Sequence, residues 1–237
     1  MKKFIALTID VEPDCPPYLR TYRSIESGLP GLLHIIEKHD IEATFFITGD
    51  VASKYPQIVK EIAIKHEIGC HGYSHARFDR MTYNEAEYEI EKSTEVLCRL
   101  AGRDITSFRA PNLVFPERFI GILKNHGYLI DSSLAKYKIG HLRRIHDAGR
   151  NNNGLLRIPV SATSSVLRLP FGKEIIRRLR SPIVLFFHPW EFMDMHYEPV
   201  RWDCKMNTGK KALETLESLI KIFKNNNYRF CKISDFI

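Results

Sequence analysis

Strand-like apolar runs alternate with helix-like stretches through almost the whole 237-residue chain. No other feature of the sequence restricts the fold as strongly. "FIALTI" reads as an opening strand, and "GLPGLLHIIEKHD" then places Leu29, Leu32, Leu33 and Ile36 at helical spacing. "IEATFFITG" and "EIGCH" read as strands on either side of a helix, "PQIVKEIAIKH", that opens on proline. "TYNEAEYEIEKSTEVLCRLAG" has a Thr cap at its start and Gly102 at its end, the signature of a long helix. "ITSFRA", "YLIDSS", "LLRIPV" and "PIVLFFH" continue the strand series, interrupted by helical "PERFIGILKNHG" and the short basic "KEIIRRLR". "TGKKALETLESLIKIFKNNN" is the last long helix, and "YRFCKI" closes the chain as an eighth strand or an edge. "PIVLFF" is wholly apolar, as a parallel strand covered on both faces must be. Residues 135–154 are polar and basic without a period and read as a long loop. With no Gly/Ser linker or repeat, the expectation is a single α/β domain over residues 1–237. A distorted (β/α) barrel of about seven strands is the first choice, and an open doubly wound sheet the second.

In such folds the C-terminal ends of the strands line the site. Here they deliver ionisable groups in series. The first strand ends in "TIDVEPD", with Asp10, Glu12 and Asp14, and the third in "HGYSH", with His71 and His75. Arg109 follows the fourth in "RAP", Asp131 the fifth, and His188 the apolar seventh in "HPW". Residues two apart on an extended segment point the same way, so Asp10 and Glu12 are expected to be neighbours. Two adjacent carboxylates need a positive charge between them. Two imidazoles and a carboxylate suit a divalent metal such as Zn²⁺. The remaining carboxylate could then accept a proton from water, held by a bidentate contact to Arg109. His188 is a candidate to protonate a leaving group.

Composition narrows the setting. The formal charge of +7 admits anionic lipid, acidic sugar or nucleic acid as partners, or simply a solvated basic surface. Five cysteines without a CxxC pair argue against a disulfide framework and fit reduced thiols in a cytoplasm. The apolar run after "MKK" is short for a signal peptide, and no stretch approaches the length of a membrane span.

The ordered motifs resemble those of the polysaccharide deacetylase family, the group with nodulation-factor deacetylase homology. Asp10 matches its catalytic carboxylate and Glu12 its metal-binding one, with Val11 between them where the two are usually adjacent. His71 and His75 match the two histidine ligands, with Gly72 where a hydroxyl residue is common. "RAP" at 109–111, "DSS" at 131–133 and "FFH" ending at His188 match the third, fourth and fifth motifs in family order. Asn112 stands where an aromatic residue is usual, and Phe186 where leucine is usual. The resemblance implies a barrel with fewer than eight strands and hydrolysis of an acyl group from a sugar. It implies a metal, Zn²⁺ first among the candidates, on Glu12, His71 and His75, with Asp10 as base and His188 as acid. Asp131 is then expected to orient His188 or raise its pKa, and a backbone N–H near Asn112 to stabilise the oxyanion. Trp190 and Trp202, near the His188 rim, either stack on sugar faces or simply pack, with equal expectation.

The spaced opening and the closing "FCKISDFI" resemble a cytoplasmic branch that includes deformylases of lipid-linked amino sugars. The expected substrate is therefore an N-acylated amino sugar, lipid- or nucleotide-linked, in surface-polysaccharide synthesis, with no nucleic acid partner. "RLPFGKEIIRRLRSP" could lay a basic face on the inner side of a membrane, although a plain amphipathic barrel helix is the preferred account. Two other classes compete: a non-catalytic glycan-binding module, and an amide hydrolase of allantoin-type small molecules.

Overall fold

The computed structural model describes residues 2–136, 149, 150 and 154–237. The loop expected over 135–154 therefore lies largely outside the described residues. Ten strand segments join in one sheet: β1 (Lys3–Val11), β2 (Thr44–Ile47), β3 (Glu67–Cys70), β4 (Ser107–Phe108), β5 (Ile130–Asp131), β6 (Gly149–Arg150), β7 (Leu156–Arg157), β8 (Ala162–Thr163), β9 (Ile183–Phe187) and β10 (Tyr228–Cys231). Their order is β6-β7-β5-β4-β3-β2-β1-β9-β8, with β10 parallel to the first half of β1. Every pairing of named strands among the described residues is parallel except that of β6 with β7. The sheet curls into a half-barrel flanked by helices. No pairing joins β6 to β8 among the described residues, and the expected barrel is present in distorted form.

β1 shows how the pleat builds two layers. Ile5, Leu7, Ile9 and Val11 join the larger core, which also holds Leu32, Ile36, Leu216, Leu219 and Phe223 of the flanking helices. Ala6, one residue out of phase, joins Phe46, Ile130, Ile158, Val184, Phe186 and Ile233 in a separate cluster on the other face. Each buried leucine, isoleucine or phenylalanine in these layers contributes about 1.5–3 kcal/mol. Gly69 of β3 is required by the same packing, because a Cβ there would stand 2.5 Å from the Phe46 ring.

The expected helices are present with shifted ends. The Thr82 cap is realised as a reciprocal capping box with Glu85, and Gly102 closes the helix Tyr83–Ala101 in the left-handed conformation. The "PERFIGILKNHG" stretch divides into a single 3₁₀ turn, Glu117–Phe119, and a helix Ile120–Asn125. The strand expected over "LLRIPV" pairs as β7 only at Leu156–Arg157.

Candidate active site

The site begins with the phase of β1. Val11 is fully buried in the helix-facing core, which leaves Asp10 and Glu12 on the other face at 3% and 4% exposure. Asp14, the third acidic residue of the opening motif, takes no part. Its carboxylate accepts from the Thr21 hydroxyl at 2.6 Å and the Arg23 amide at 2.8 Å, pinning the following loop.

Arg109 is completely buried, its guanidinium 4.3 Å from the centre of the Phe46 ring. Nη1 donates to Asp10 Oδ1 at 2.7 Å and to Thr8 Oγ1 at 2.8 Å, and Nη2 donates to Ser132 Oγ at 3.0 Å. The expected bidentate grip is therefore a contact through one nitrogen, with the rest of the fork spent on the Thr8 and Ser132 hydroxyls and, from Nε at 3.3 Å, on the Ser132 carbonyl oxygen. Burial alone would lower the Arg109 pKa, and the Asp10 carboxylate acts against that. Such a pair is costly to break on one side only, because the survivor keeps its desolvation penalty.

Beyond β3 the chain turns at Gly72, whose φ of +72° suits glycine, and His75 itself is left-handed at φ +61°. Glu89 holds this turn by accepting from the Tyr73 and Ser74 amides, both at 2.9 Å. The turn brings His75 Nε2 to 2.6 Å and His71 Nε2 to 3.0 Å from the same oxygen of Glu12. One nitrogen or oxygen atom of each of Glu12, His71 and His75 lies within 4.8 Å of the others. His71 Nδ1 is 2.7 Å from the Arg109 carbonyl oxygen, which can only accept, so Nδ1 carries a proton. In the neutral ring Nε2 then presents its lone pair to a carboxylate. Two acceptors facing each other at 3.0 Å want a cation between them, and a histidine fixed by a backbone carbonyl is how metal-ligating imidazoles are oriented. The donor set fits a divalent metal. Neighbouring Cys70 does not contribute, since its thiol turns away to Ser93 Oγ at 3.4 Å.

His188, just past β9, is 16% exposed, with Nε2 3.6 Å from Glu12 Oε1. Its Nδ1 is 2.6 Å from Glu191 Oε1, which also accepts from the His188 backbone amide at 3.1 Å. Burial pushes the His188 pKa down, but Glu12, Glu191 and Asp10 together raise it to about 9. Burial would likewise raise the pKa of Glu12, yet the nearby rings of His75 and His188 hold it well below the usual carboxylate range. His75 is raised: the pull of Glu12 outweighs its burial.

Asp131 corrects the sequence-based expectation. Its carboxylate faces Arg157 Nε at 3.0 Å and the Ser133 amide at 2.9 Å. Burial raises its pKa against the pull of Arg157. The residue that orients His188 is Glu191. The only sequence signal for it was its position three residues after His188 in "HPWE". Thr8, Ser132 and Ser133 were also missed. Ser133 Oγ accepts from the Ala110 amide at 2.8 Å and so ties β5 to the loop after Arg109.

Asp10, Glu12, His75, Asn112, His188 and Trp190 line a cleft of about 420 Å³. Asn112 sits there with a left-handed backbone, φ +60°. Trp190 is stacked on His188, ring centres 5.2 Å apart. Trp202 is 72% exposed and lies instead in an adjoining groove of about 470 Å³, which shares Ser165, Arg168, Arg201 and Asp203 with the cleft.

Comparison with known proteins gives the chain a family and structural neighbours. The family model for polysaccharide deacetylase matches residues 1–130. A peptidoglycan-N-acetylglucosamine deacetylase of Bacillus cereus is 37% identical over 111 residues, 46% of this chain and 36% of that protein. A chitooligosaccharide deacetylase of Azorhizobium caulinodans is 29% identical over 103 residues, 43% of this chain and 49% of its own. The matches thus span less than half the length of these relatives. Among solved structures, the Bc1960 peptidoglycan N-acetylglucosamine deacetylase aligns over 99% of this chain and 87% of its own, with a TM-score of 0.67 at 20% identity. A CE4 family pseudoenzyme from Bacillus anthracis aligns over 99% of this chain and 65% of its own, with a TM-score of 0.68 at 18% identity.

Proposed function

The chain belongs to the polysaccharide deacetylase family, and from that premise we propose that it is a metal-dependent hydrolase removing an N-acetyl or N-formyl group from an amino sugar. Glu12, His71 and His75 would hold the metal, with Zn²⁺ the first candidate. When bound, such an ion lowers the pKa of a bound water and polarises the acyl carbonyl. Asp10 accepts the water's proton, its free oxygen lying 3.8 Å from His71 Nε2 while Arg109 holds the other. His188, with Nδ1 held by the Glu191 carboxylate at 2.6 Å, donates a proton to the departing amine, and Glu191 is its positioning residue. Asn112 and Trp190 bound the space where the sugar and its acyl group would lie. The single observation that carries the reading is the flanking of one potential metal cluster by Asp10 and His188, each with its own ionic support.

Residues 1–237 act, in this reading, as one catalytic domain. The substrate would be a lipid- or nucleotide-linked precursor of a surface polysaccharide, met in the cytoplasm or at the inner face of a membrane. No helix among the described residues is long and apolar enough to cross a membrane. Peripheral contact is favoured by the exposed Leu169, Phe171 and Ile175 beside Lys173 and Arg177. The decisive experiment is a metal-supplemented assay on N-acetylated and N-formylated amino sugars, free, nucleotide-linked and lipid-linked, with allantoin as a further member. Metal binding without turnover on any of them would leave a glycan-binding module, and turnover of allantoin alone would move the protein to small-amide hydrolysis.

A further inference from the structure

The leaving-group side of the cleft holds a cation that the chemistry above does not use. Arg168 is 5% exposed and lines the cleft, yet its Nε and Nη1 have no hydrogen-bond partner, and Nη2 reaches Ser165 Oγ only at 3.5 Å. The nearest carboxylate is that of Glu191, whose Oε2 stands 3.8 Å from Arg168 Nε, too far for a hydrogen bond. The other oxygen of Glu191 is already engaged by the ring and backbone of His188. The second acidic group nearby, Asp203, is held by Arg201 at 2.5 Å. The guanidinium lies 5.1 Å from the centre of the Trp190 ring, and Trp190 Nε1 is also buried without a partner. Three unmet donors therefore sit on two side chains that line the same cleft.

A buried guanidinium with free donors is unfavourable unless something supplies acceptors. Its planar fork matches a phosphate or a carboxylate, and stacking on tryptophan fixes its orientation. A neutral hydroxyl could satisfy one donor but would leave the charge without a partner. We propose that the substrate carries an anionic group, phosphate or carboxylate, on or beside the acylated sugar, and that Arg168 recognises it. This rests on the deacylase reading and names the chemical class of substrate within it. Past Arg168 and Arg201 the cleft continues into the groove lined by Leu169, Trp202 and Met206, so a phosphate held at Arg168 has room for a further substituent.

The test compares kcat/KM of the metal-loaded protein on N-acetylglucosamine, its 1-phosphate, N-acetylmuramic acid, the octyl phosphodiester and the uridine diphosphate conjugate. The 1-phosphate and muramic acid separate phosphate from carboxylate, and the last two separate an apolar from a nucleoside substituent. At least one anionic member should exceed the neutral sugar about 10-fold or more, and Arg168→Gln should shrink that ratio by about 10- to 100-fold, the worth of a charge-assisted contact. Arg168→Lys should keep part of it. Calorimetry of metal-free protein with N-acetylglucosamine 1-phosphate and with N-acetylmuramic acid gives a second readout. At least one should bind, and Arg168→Gln should lose that binding. Equal kcat/KM for neutral and anionic sugars, or an equal fractional loss on both in Arg168→Gln, would make Arg168 only a partner of Glu191 and overturn the proposal. If no sugar were hydrolysed the deacylase reading would fail, and the calorimetry would still decide for or against the anion.

Discussion

Replacing Glu191 by glutamine removes one negative charge from beside His188 while keeping the shape of the turn. The amide oxygen can still accept from the His188 backbone N–H and from a protonated Nδ1, at positions where the carboxylate now stands at 3.1 Å and 2.6 Å. What is lost is the charge, in a place where Glu191 is 2% exposed and water screens little. A hydrogen bond to a charged partner exceeds a neutral one by about 1–1.5 kcal/mol, and at 1.36 kcal/mol per pH unit this lowers the His188 pKa by about 1 unit. Arg168, left 3.8 Å away without its countercharge, pushes in the same direction. Glu12 and Asp10 remain, so the pKa should not fall all the way to that of an isolated buried histidine. The assay is the pH profile of kcat/KM on an amide substrate, wild type against Glu191→Gln under the same metal. The alkaline limb should move down by about 1 unit, and NMR titration of the ring in metal-free protein should show a shift of the same sign. Asp131→Asn is the control, since its carboxylate faces Arg157 and leaves the limb in place. An unmoved limb in Glu191→Gln, or a moved one in Asp131→Asn, would refute the assignment of Glu191 as the residue that holds His188 charged.

Asp10→Asn should retain metal, measured by elemental analysis, yet lose about 10²- to 10⁴-fold in turnover, because an amide cannot take the water's proton; metal loss here but not in Glu12→Gln would exchange the two roles. His71→Ala or His75→Ala should weaken metal binding by about 10-fold or more, read by competition with a chelating dye. Arg109→Ala should destabilise the fold by about 3–5 kcal/mol in urea denaturation, since it strands the Asp10 charge in the interior. In metal-free protein, the rise of the His188 pKa from 6.5 to about 9 corresponds to about 3 kcal/mol of stability. That contribution is complete below pH ~6.5 and is lost as the pH rises through ~9. Glu12, whose pKa is lowered, contributes stability above its ordinary 4.5 that is lost as the pH falls; denaturation midpoints across pH read both limbs.

The barrel and most of the cleft were legible along the chain because the signals are local. A pleat of period two puts Asp10 and Glu12 on one face and Val11 on the other, whatever the sheet pairs with. A four-residue turn likewise brings His71 and His75 together. Helix caps at Thr82 and Gly102 act through neighbouring backbone, and they appear where the residues predict them. The partner of His188 is a different kind of fact. Asp131 and His188 both follow strands that point to the same rim, so adjacency in a motif list makes them look like neighbours. In the sheet, β5 and β9 are five pairings apart, about 24 Å at the usual strand spacing measured along a flat sheet. The register that sets Asp131 opposite Arg157 supplies a guanidinium to neutralise it there. Glu191 could take over only because the chain after β9 closes one tight 3₁₀ turn that returns its carboxylate to the ring. Arg168 opens the basic segment that reads as an amphipathic helix, and its orphaned donors exist only once Trp190, Glu191 and Ser165 are packed around it. Local periodicity determines which face a side chain takes. Only the register and curl of the sheet decide which charges meet, because electrostatic partners are chosen by distance in space and not along the chain.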